Sequence, residues 1–288
     1  MQKAKNKIAL IYDFDGTLSP KPMQEYTILP KLGISPEDFW KKVGLEAKSS
    51  ESEPMLVYMR LLLEEAEKAQ VHIGRQDFVE MGKQIEYFEG VESWFCRIEG
   101  YIQERSQGLA QVAHYIISAG NKEILEGVSI ANRFEKIYAS EYHYDHHNQA
   151  TFPKLLITDT SKTQFIFRIN KGKLDIREDI NSHMPYDERP IPFSNIIYIG
   201  DGLTDVPSMA VVKHNGGHAV AVHRPVDEKA KDVCETLLKA KRVNFFAPAN
   251  FSEGSELDRK IKLLLDKVIA AIAFTNELTN PSTALCPP

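Results

Sequence analysis

Four short apolar runs, separated by longer segments with helical periodicity, set the pattern of the chain. Their residues are largely β-branched or aromatic, and the runs lie at 8–12, 110–117, 195–199 and 218–223. Such runs are typical of strands that are buried on both faces of a parallel sheet. Because helical segments alternate with them, we expect an α/β fold in which a doubly wound parallel sheet carries helices on both sides.

The block between the first two runs contains no strand pattern and reads as helical. Ser35 and Pro36 are an N-cap and a first-turn proline ahead of one helix, and further helical patterns cover 53–69 and 76–88. We therefore predict two domains. A core domain comprises 1–20 and 90–288, and a helical cap domain comprises 21–89, inserted after the first strand.

Weaker patterns predict the remaining elements of the core. Helices are expected at 92–107, 121–127 and 163–170, and an amphipathic helix at 256–273. A short strand is expected at 137–140. A polar loop is expected at 143–148 and an irregular loop at 175–190.

Composition and charge exclude several classes of function. The chain has 288 residues and a formal net charge of −5, which argues against a general nucleic-acid-binding protein because such proteins need a basic face. No apolar stretch approaches the ~20 residues of a membrane span. Cys96, Cys234 and Cys286 are far apart and odd in number, which favours a reducing, cytoplasmic location. We interpret the basic run 239–242 as a helix end rather than an anion site.

Polar residues with carboxylate or hydroxyl groups follow three of the predicted strands. They are Asp13 and Asp15, then Ser118, then Asp201 and Asp205. Ligands of an open α/β sheet bind at the carboxyl ends of its strands, so these side chains should meet there. Each cluster read alone could be a solvated turn. Together, four carboxylates in one crevice need positive charge, and Mg2+ with oxygen ligands supplies it best.

This set of side chains also suits phosphoryl transfer. An aspartate can act as the nucleophile and form an aspartyl-phosphate. A second carboxylate can move protons to the leaving group and from water. A hydroxyl, the Lys162 ammonium and a metal ion can hold the phosphoryl oxygens on which negative charge builds.

Four motifs in this order resemble those of the haloacid dehalogenase (HAD) superfamily, which has a Rossmann-like core. The segment from Asp13 to Thr17, Asp-Phe-Asp-Gly-Thr, resembles its first motif, Ser118 its second, Lys162 its third, and Gly-Asp-Gly-Leu-Thr-Asp, ending at Asp205, its fourth. The layout is most similar to phosphoserine-phosphatase-like members with a helical cap between the first and second motifs. The resemblance covers roughly residues 1–20 and 90–240.

The resemblance implies catalytic roles for three residues. Asp13 would be the nucleophile. Asp15 would be the general acid and base and would offer its backbone carbonyl to the metal. Lys162 would neutralise Asp13 and the phosphate; Lys154 and Lys171 are alternative candidates for this lysine.

The same resemblance implies the residues that bind the phosphate and the metal. Asp13 and Asp201 would ligate Mg2+, and Asp205 would support the metal site or Lys162. Thr17 would help to hold Asp15 or the phosphoryl site. Ser118 would bind a phosphoryl oxygen together with the backbone N–H of Ala119 or Gly120.

The function expected from the sequence is a Mg2+-dependent phosphatase acting on a small phosphorylated metabolite. A nucleotidase or phosphotransferase of the same superfamily, or a non-catalytic phosphate- or metal-binding protein, remains an alternative. Phosphoserine is not favoured as the substrate because Glu25 falls out of register with the cap acid of phosphoserine phosphatases. Neither nucleic acid nor membrane is expected as a partner, and the chain could be a monomer or a homodimer.

Overall fold

The computed structural model describes residues 6–279, which form a seven-stranded sheet with helices on both faces. The strand order is β4-β3-β2-β1-β5-β6-β7, and every neighbouring pair is parallel except β3 and β4. The strands are β1 Lys7–Tyr12, β2 Gln111–Asn121, β3 Phe134–Tyr144, β4 Ala150–Leu155, β5 Ile196–Gly200, β6 His218–His223 and β7 Phe245–Pro248. The predicted doubly wound α/β fold is confirmed. Cys286 lies outside the described residues.

The helices fill the segments between these strands. They are α1 Met23–Tyr26, α2 Ile28–Leu32, α3 Pro36–Ser49, α4 Pro54–Lys68, α5 Arg75–Met81, α6 Val91–Arg105, α7 Lys122–Gly127, α8 Lys162–Lys171, α9 Val206–His214, α10 Glu228–Lys239 and α11 Glu256–Thr279. None of the helices within 6–279 combines the length and the apolar character that crossing a lipid bilayer requires.

Each face of the sheet has its own hydrophobic cluster, because alternate residues of a strand point to opposite sides. Leu10 and Ile199 lie on the face that is covered by α6 and α11. Ile11 and Tyr198 lie on the other face, against α8, α9 and α10.

The chain changes direction in the sheet at β1, which lies between β2 and β5. Strands after β1 first build outward through β2 and β3, and β5 then returns to the other side of β1. The backbone N–H of Asp13 donates to the carbonyl of Ile199 at 2.9 Å, so the loops that follow β1 and β5 leave the sheet side by side. This is the position where open α/β sheets bind their ligands.

Helices α1 to α5 form the insert between β1 and α6. As expected, Ser35 caps α3, its Oγ accepting from the N–H of Asp38 at 3.4 Å. Glu53 caps α4 by accepting from the N–H groups of Met55 and Leu56. Buried side chains of the insert, including Phe39 and Leu62, belong to the same hydrophobic cluster as one face of the sheet. The division into two domains at 21–89 therefore stays a prediction.

Helix α5 packs backbone to backbone against α7. A Cβ added to Gly127 would lie 2.6 Å from the carbonyl carbon of Val79, and one added to Gly82 would lie 2.9 Å from Cα of Gly127. Glycine at both positions is what permits this approach, since no Cβ atom would fit. The insert is therefore closely attached to the segment that follows β2.

The structure corrects several predicted boundaries. The helix expected at 76–88 ends at Met81, followed by one 3-10 turn at Gly82–Gln84. The loop expected at 143–148 was wrong for its first two residues, because β3 continues to Tyr144 and forms a hairpin with β4. Both β4 and β7 escaped the sequence analysis. β4 is largely exposed and β7 has only four residues, so neither leaves a buried apolar run of detectable length.

Prolines mark both outer strands of the sheet. β4 contains Pro153 and β7 ends at Pro248. A proline has no N–H to donate to a ladder, so within a sheet it is confined mainly to edge strands.

Candidate active site

A buried lysine links the loops that follow β1 and β5. Nζ of Lys162 lies 3.0 Å from Oδ1 of Asp13 and 2.8 Å from Oδ1 of Asp205, and all three side chains are almost completely buried. Lys162 reaches this position because it is the first residue of α8. The two alternative lysines lie elsewhere. Lys154 pairs with Glu141, and Lys171 donates to backbone carbonyls of the 175–190 loop.

Asp205 has a hydrogen-bond partner on each carboxylate oxygen. The Tyr198 hydroxyl donates to its Oδ1 at 2.6 Å, in addition to the bond from Lys162. The backbone N–H of Asp201 donates to its Oδ2 at 3.2 Å. These bonds fix Asp205 as a support for Lys162 and for the Asp201 backbone. Sequence reasoning missed Tyr198, although a hydroxyl on an otherwise apolar buried strand was a usable signal, because buried polar atoms need partners.

Two motif glycines leave room for these carboxylates. A Cβ added to Gly16 would lie 2.6 Å from Cγ of Asp201, and Gly16 also has a positive φ of 78°. A Cβ added to Gly200 would lie 2.6 Å from Cγ of Asp205. Glycine at 16 therefore lets the loop after β1 approach the loop after β5, and glycine at 200 leaves space for the Asp205 carboxylate within the second loop.

The Asp15 side chain is turned away from this group and towards the insert. Its Oδ1 accepts a hydrogen bond from the backbone N–H of Met23 at 2.9 Å. Its Oδ2 faces Gly120, since a Cβ added there would lie 3.1 Å from this oxygen. Burial raises the pKa of the Asp15 carboxyl well above its usual range, and the charge of Asp13 adds to this effect.

The predicted phosphate-binding residues lie beside Asp15 at the end of β2. The Ser118 Oγ is buried and accepts from the backbone N–H of Gly120 at 3.0 Å, and among residues 6–279 its hydroxyl donates to no acceptor. Ala119 is partly exposed at the same edge. The Thr17 hydroxyl is buried and has no hydrogen-bond partner among the described residues, so it does not hold Asp15 through a hydrogen bond.

Comparison with known proteins identifies relatives by sequence and by fold. No protein-family model matches the chain. An uncharacterized protein of Borreliella burgdorferi is 30% identical over 281 residues, which is 89% of this chain and 96% of that protein. The chain belongs to one family with that protein.

Solved structures show the fold. A HAD family hydrolase of Salmonella enterica serovar Typhi matches with a TM-score of 0.58 at 14% identity, over 90% of this chain and 71% of the hydrolase. A phosphoserine phosphatase, solved as a phospho-aspartyl intermediate analogue, matches with a TM-score of 0.54 at 15% identity, over 90% of this chain and 99% of that one. A probable phosphoserine phosphatase of Vibrio cholerae matches with a TM-score of 0.56 at 10% identity, over 94% of this chain and 68% of that one. The chain has the HAD fold in its phosphoserine-phosphatase-like form.

Within residues 6–279 of this HAD fold, one group of three acidic side chains is close enough to share a cation. Oxygens of Asp13, Asp201 and Asp205 lie within 4.8 Å of one another. Burial raises the pKa of Asp13 to about 7 and that of Asp201 to about 8, and the neighbouring carboxylates add to both shifts. Burial opposes the charge of Lys162, but Asp13 and Asp205 outweigh it and hold its pKa well above the usual range.

These observations fit a hard divalent cation. Carboxylate oxygens are the ligands that Mg2+ prefers, and a second cation beside Lys162 would offset the repulsion between the carboxylates. Because Asp205 is already bonded on both oxygens, Asp13 and Asp201 are the side chains best placed to ligate it. The Asp15 carboxylate is not in this group. A ligand from its backbone carbonyl stays a prediction.

Proposed function

We propose that the protein is a Mg2+-dependent phosphomonoesterase that hydrolyses a small phosphorylated metabolite through an aspartyl-phosphate on Asp13. The observation that supports this most is the arrangement of two carboxylates with different partners. Asp13 is ion-paired to Lys162, whereas Asp15 lies beside Gly120 and is held by a backbone N–H.

Asp13 is the nucleophile in this proposal. Lys162 bonds its Oδ1, which orients the carboxylate for attack on phosphorus. A bond forms between the Asp13 carboxylate and phosphorus while the bond from phosphorus to the ester oxygen breaks. In the second half-reaction water attacks the same phosphorus, the bond to Asp13 breaks, and inorganic phosphate leaves.

Asp15 transfers the protons. Met23 fixes one of its oxygens, and the other faces Gly120; the ester would lie near this second oxygen. Asp15 would donate its proton to the departing alkoxide and then accept one from the attacking water. The Ser118 hydroxyl, with its hydrogen still available, would donate to a phosphoryl oxygen.

Asp13 and Asp201 would hold the metal ion, and Asp205 would keep Lys162 and the Asp201 backbone in place. When bound, Mg2+ supplies positive charge that offsets the charge of the phosphoryl oxygens. The insert over the carboxyl edge of the sheet would act as the cap, exclude water and select the substrate.

Hydrolysis of p-nitrophenyl phosphate tests the proposal. We expect turnover with Mg2+, none with EDTA, and a loss of at least ~10³-fold in Asp13→Asn, because the amide is not a nucleophile. Asp232→Asn, an exposed change on α10, should behave as wild type. If Asp13→Asn retains wild-type turnover, or if the wild type hydrolyses no member of a broad phosphate ester panel with Mg2+, the proposal is wrong.

A further inference from the structure

A groove of about 550 Å³ lies near the amino-terminal ends of β6 and β7, whereas the candidate active site lies at the carboxyl-terminal ends of the strands. Its floor includes Phe167 of α8 and Val211 of α9, both partly buried. Its rim is basic, with Lys213 and His214 from the last turn of α9 and the pair Lys241 and Arg242 from the turn after α10; Ala210 and Asn215 complete the lining.

The rim cations are not neutralised. Lys213, Lys241 and Arg242 form no ion pair within residues 6–279, and the groove lining contains no acidic residue. Burial lowers the pKa of Lys213, and the positive charge of Lys267 lowers it further. A patch with uncompensated positive charge is notable in a chain whose net charge is −5.

The end of α10 does not account for this patch. Helix α10 ends at Lys239, as the sequence indicated, and Lys239 pairs with Glu235. Lys241 and Arg242 come after it, in a turn closed by their own N–H groups, which donate to the carbonyls of Leu238 and Leu237 at 2.9 Å. Their side chains are exposed and line the groove rather than cap the helix.

We propose that this groove binds a small organic phosphate with an apolar or aromatic body, such as a nucleoside diphosphate. The groove is shallow and open to solvent, so a ligand would lie along its surface. Phe167 and Val211 would contact the body of the ligand. Lys213, Lys241 and Arg242 would pair with the phosphate groups, which lysine and arginine bind well.

The groove is separate from the candidate active site, although the same helices reach both. α8 begins with Lys162 and carries Phe167. α9 begins directly after Asp205 and ends with Lys213 and His214, nine residues or roughly 13 Å along. The inference does not rest on the proposed function, because binding can be measured without turnover.

Isothermal titration calorimetry of the full chain with ADP, in EDTA at low salt, tests the inference. We expect the wild type to bind ADP and the double variant Lys241→Gln/Arg242→Gln to bind it at least tenfold more weakly. Lys229→Gln/Lys231→Gln, which removes two positive charges near the start of α10, should bind as wild type. All changed side chains are exposed or partly exposed, so equal melting temperatures are expected and are measured first.

Two further measurements distinguish binding in the groove from binding of phosphate alone and from binding at the candidate active site. Inorganic phosphate should bind at least tenfold more weakly than ADP, because it lacks a body for Phe167. Photolabelling with 8-azido-ADP should mark peptides that contain 167 or 210–215. Unchanged ADP affinity in the groove variant, labelling at 13–17 or 201–205 instead, equal affinity for phosphate, or no wild-type binding at millimolar ADP would each overturn the inference.

Discussion

The backbone N–H of Met23 donates to Oδ1 of Asp15 at 2.9 Å, so the first helical residue of the insert holds the second aspartate of the Asp13–Thr17 motif. The Met23 side chain contacts the end of β2, with its sulfur 3.1 Å from the backbone nitrogen of Asn121. The orientation of the proposed general acid therefore depends on how the insert is seated.

Asp15→Asn should separate proton transfer from positioning. The amide oxygen can still accept from Met23, but the side chain can no longer donate a proton to the leaving group. We expect kcat/KM for an alkyl phosphate to fall by ~10²–10⁴-fold, and kcat/KM for p-nitrophenyl phosphate to fall less, because 4-nitrophenolate leaves without protonation. An equal loss of kcat/KM on both esters would contradict the role of Asp15 as proton donor to the leaving group.

Gly16→Ala should strain the backbone, which has a positive φ at this position, and should also create a steric clash that reduces activity. Its Cβ would overlap Asp201, whereas Gly33, whose φ of 67° is similarly positive, has open space around it. Both variants should lose ~1–2 kcal/mol of stability from the left-handed backbone. Only Gly16→Ala should also lose phosphatase activity, by at least ~10²-fold. Equal activities in the two variants would show that the contact with Asp201 is unimportant.

Tyr198→Phe removes the hydroxyl that donates to Oδ1 of Asp205. The carboxylate remains buried and bonded to Lys162, so we expect a loss of ~1.5–3 kcal/mol in unfolding free energy and a roughly tenfold lower kcat. Tyr138→Phe is the matched control, because its hydroxyl donates to the carbonyl of Leu174 at 2.8 Å, away from the carboxylates. It should lose stability but keep full activity in the p-nitrophenyl phosphate assay.

His114, in β2, lies at the end of a buried hydrogen-bond chain on one face of the sheet. Trp94 donates to the Tyr12 hydroxyl at 2.9 Å, and that hydroxyl is hydrogen-bonded to Nδ1 of His114 at 3.0 Å. Burial lowers the pKa of His114 to about 3, and the charge of Arg133 adds to this. The carboxylate of Glu99 is 3.8 Å from Nε2, beyond hydrogen-bond distance.

This depressed pKa predicts an acid-dependent loss of stability. Between about pH 6.5 and pH 3, His114 is protonated in the unfolded chain but neutral in the folded protein. The free energy of unfolding therefore falls as the pH is lowered through this range. At pH 5 the loss from this group is about 2 kcal/mol. Urea unfolding at pH 7 and pH 5 should show a smaller change in His114→Gln than in wild type or in the exposed control His143→Gln. The same change in unfolding free energy in all three proteins would refute the lowered pKa of His114.

Gly127→Ala should disturb the contact between α5 and α7. The new methyl group would overlap the Val79 carbonyl, and overpacking of this kind costs ~1–3 kcal/mol. Gly100→Ala, in exposed surroundings on α6, should instead stabilise by ~0.5–1 kcal/mol because alanine favours the helix. Thermal unfolding should place the two melting temperatures on opposite sides of the wild-type value.

The central strands could be predicted because burial on both faces leaves a continuous apolar run, as in 8–12 and 195–199. β4 could not, because its side chains are mostly exposed and it is stabilised by pairing with β3. The helix at 76–88 was overextended because its apolar spacing continues, whereas the chain leaves the helix after Met81 to reach α6.

The polar motifs fixed which side chains meet, but not how they are oriented. Strand order alone brings Asp13 near Asp201. The sequence does not show that Asp15 faces the insert, that Tyr198 supports Asp205 or that Gly16 is closed in by Asp201. Each of these depends on contacts between residues that are distant along the chain.

The prolines of β4 and β7 bear on self-association. A second copy of the chain could lengthen the described sheet only by pairing with one of these two outer strands, and each contains a residue without an N–H. Interruptions of this kind protect natural sheets from edge-to-edge aggregation. We therefore expect that a homodimer, if one forms, would pack through other surfaces, with the two sheets remaining separate.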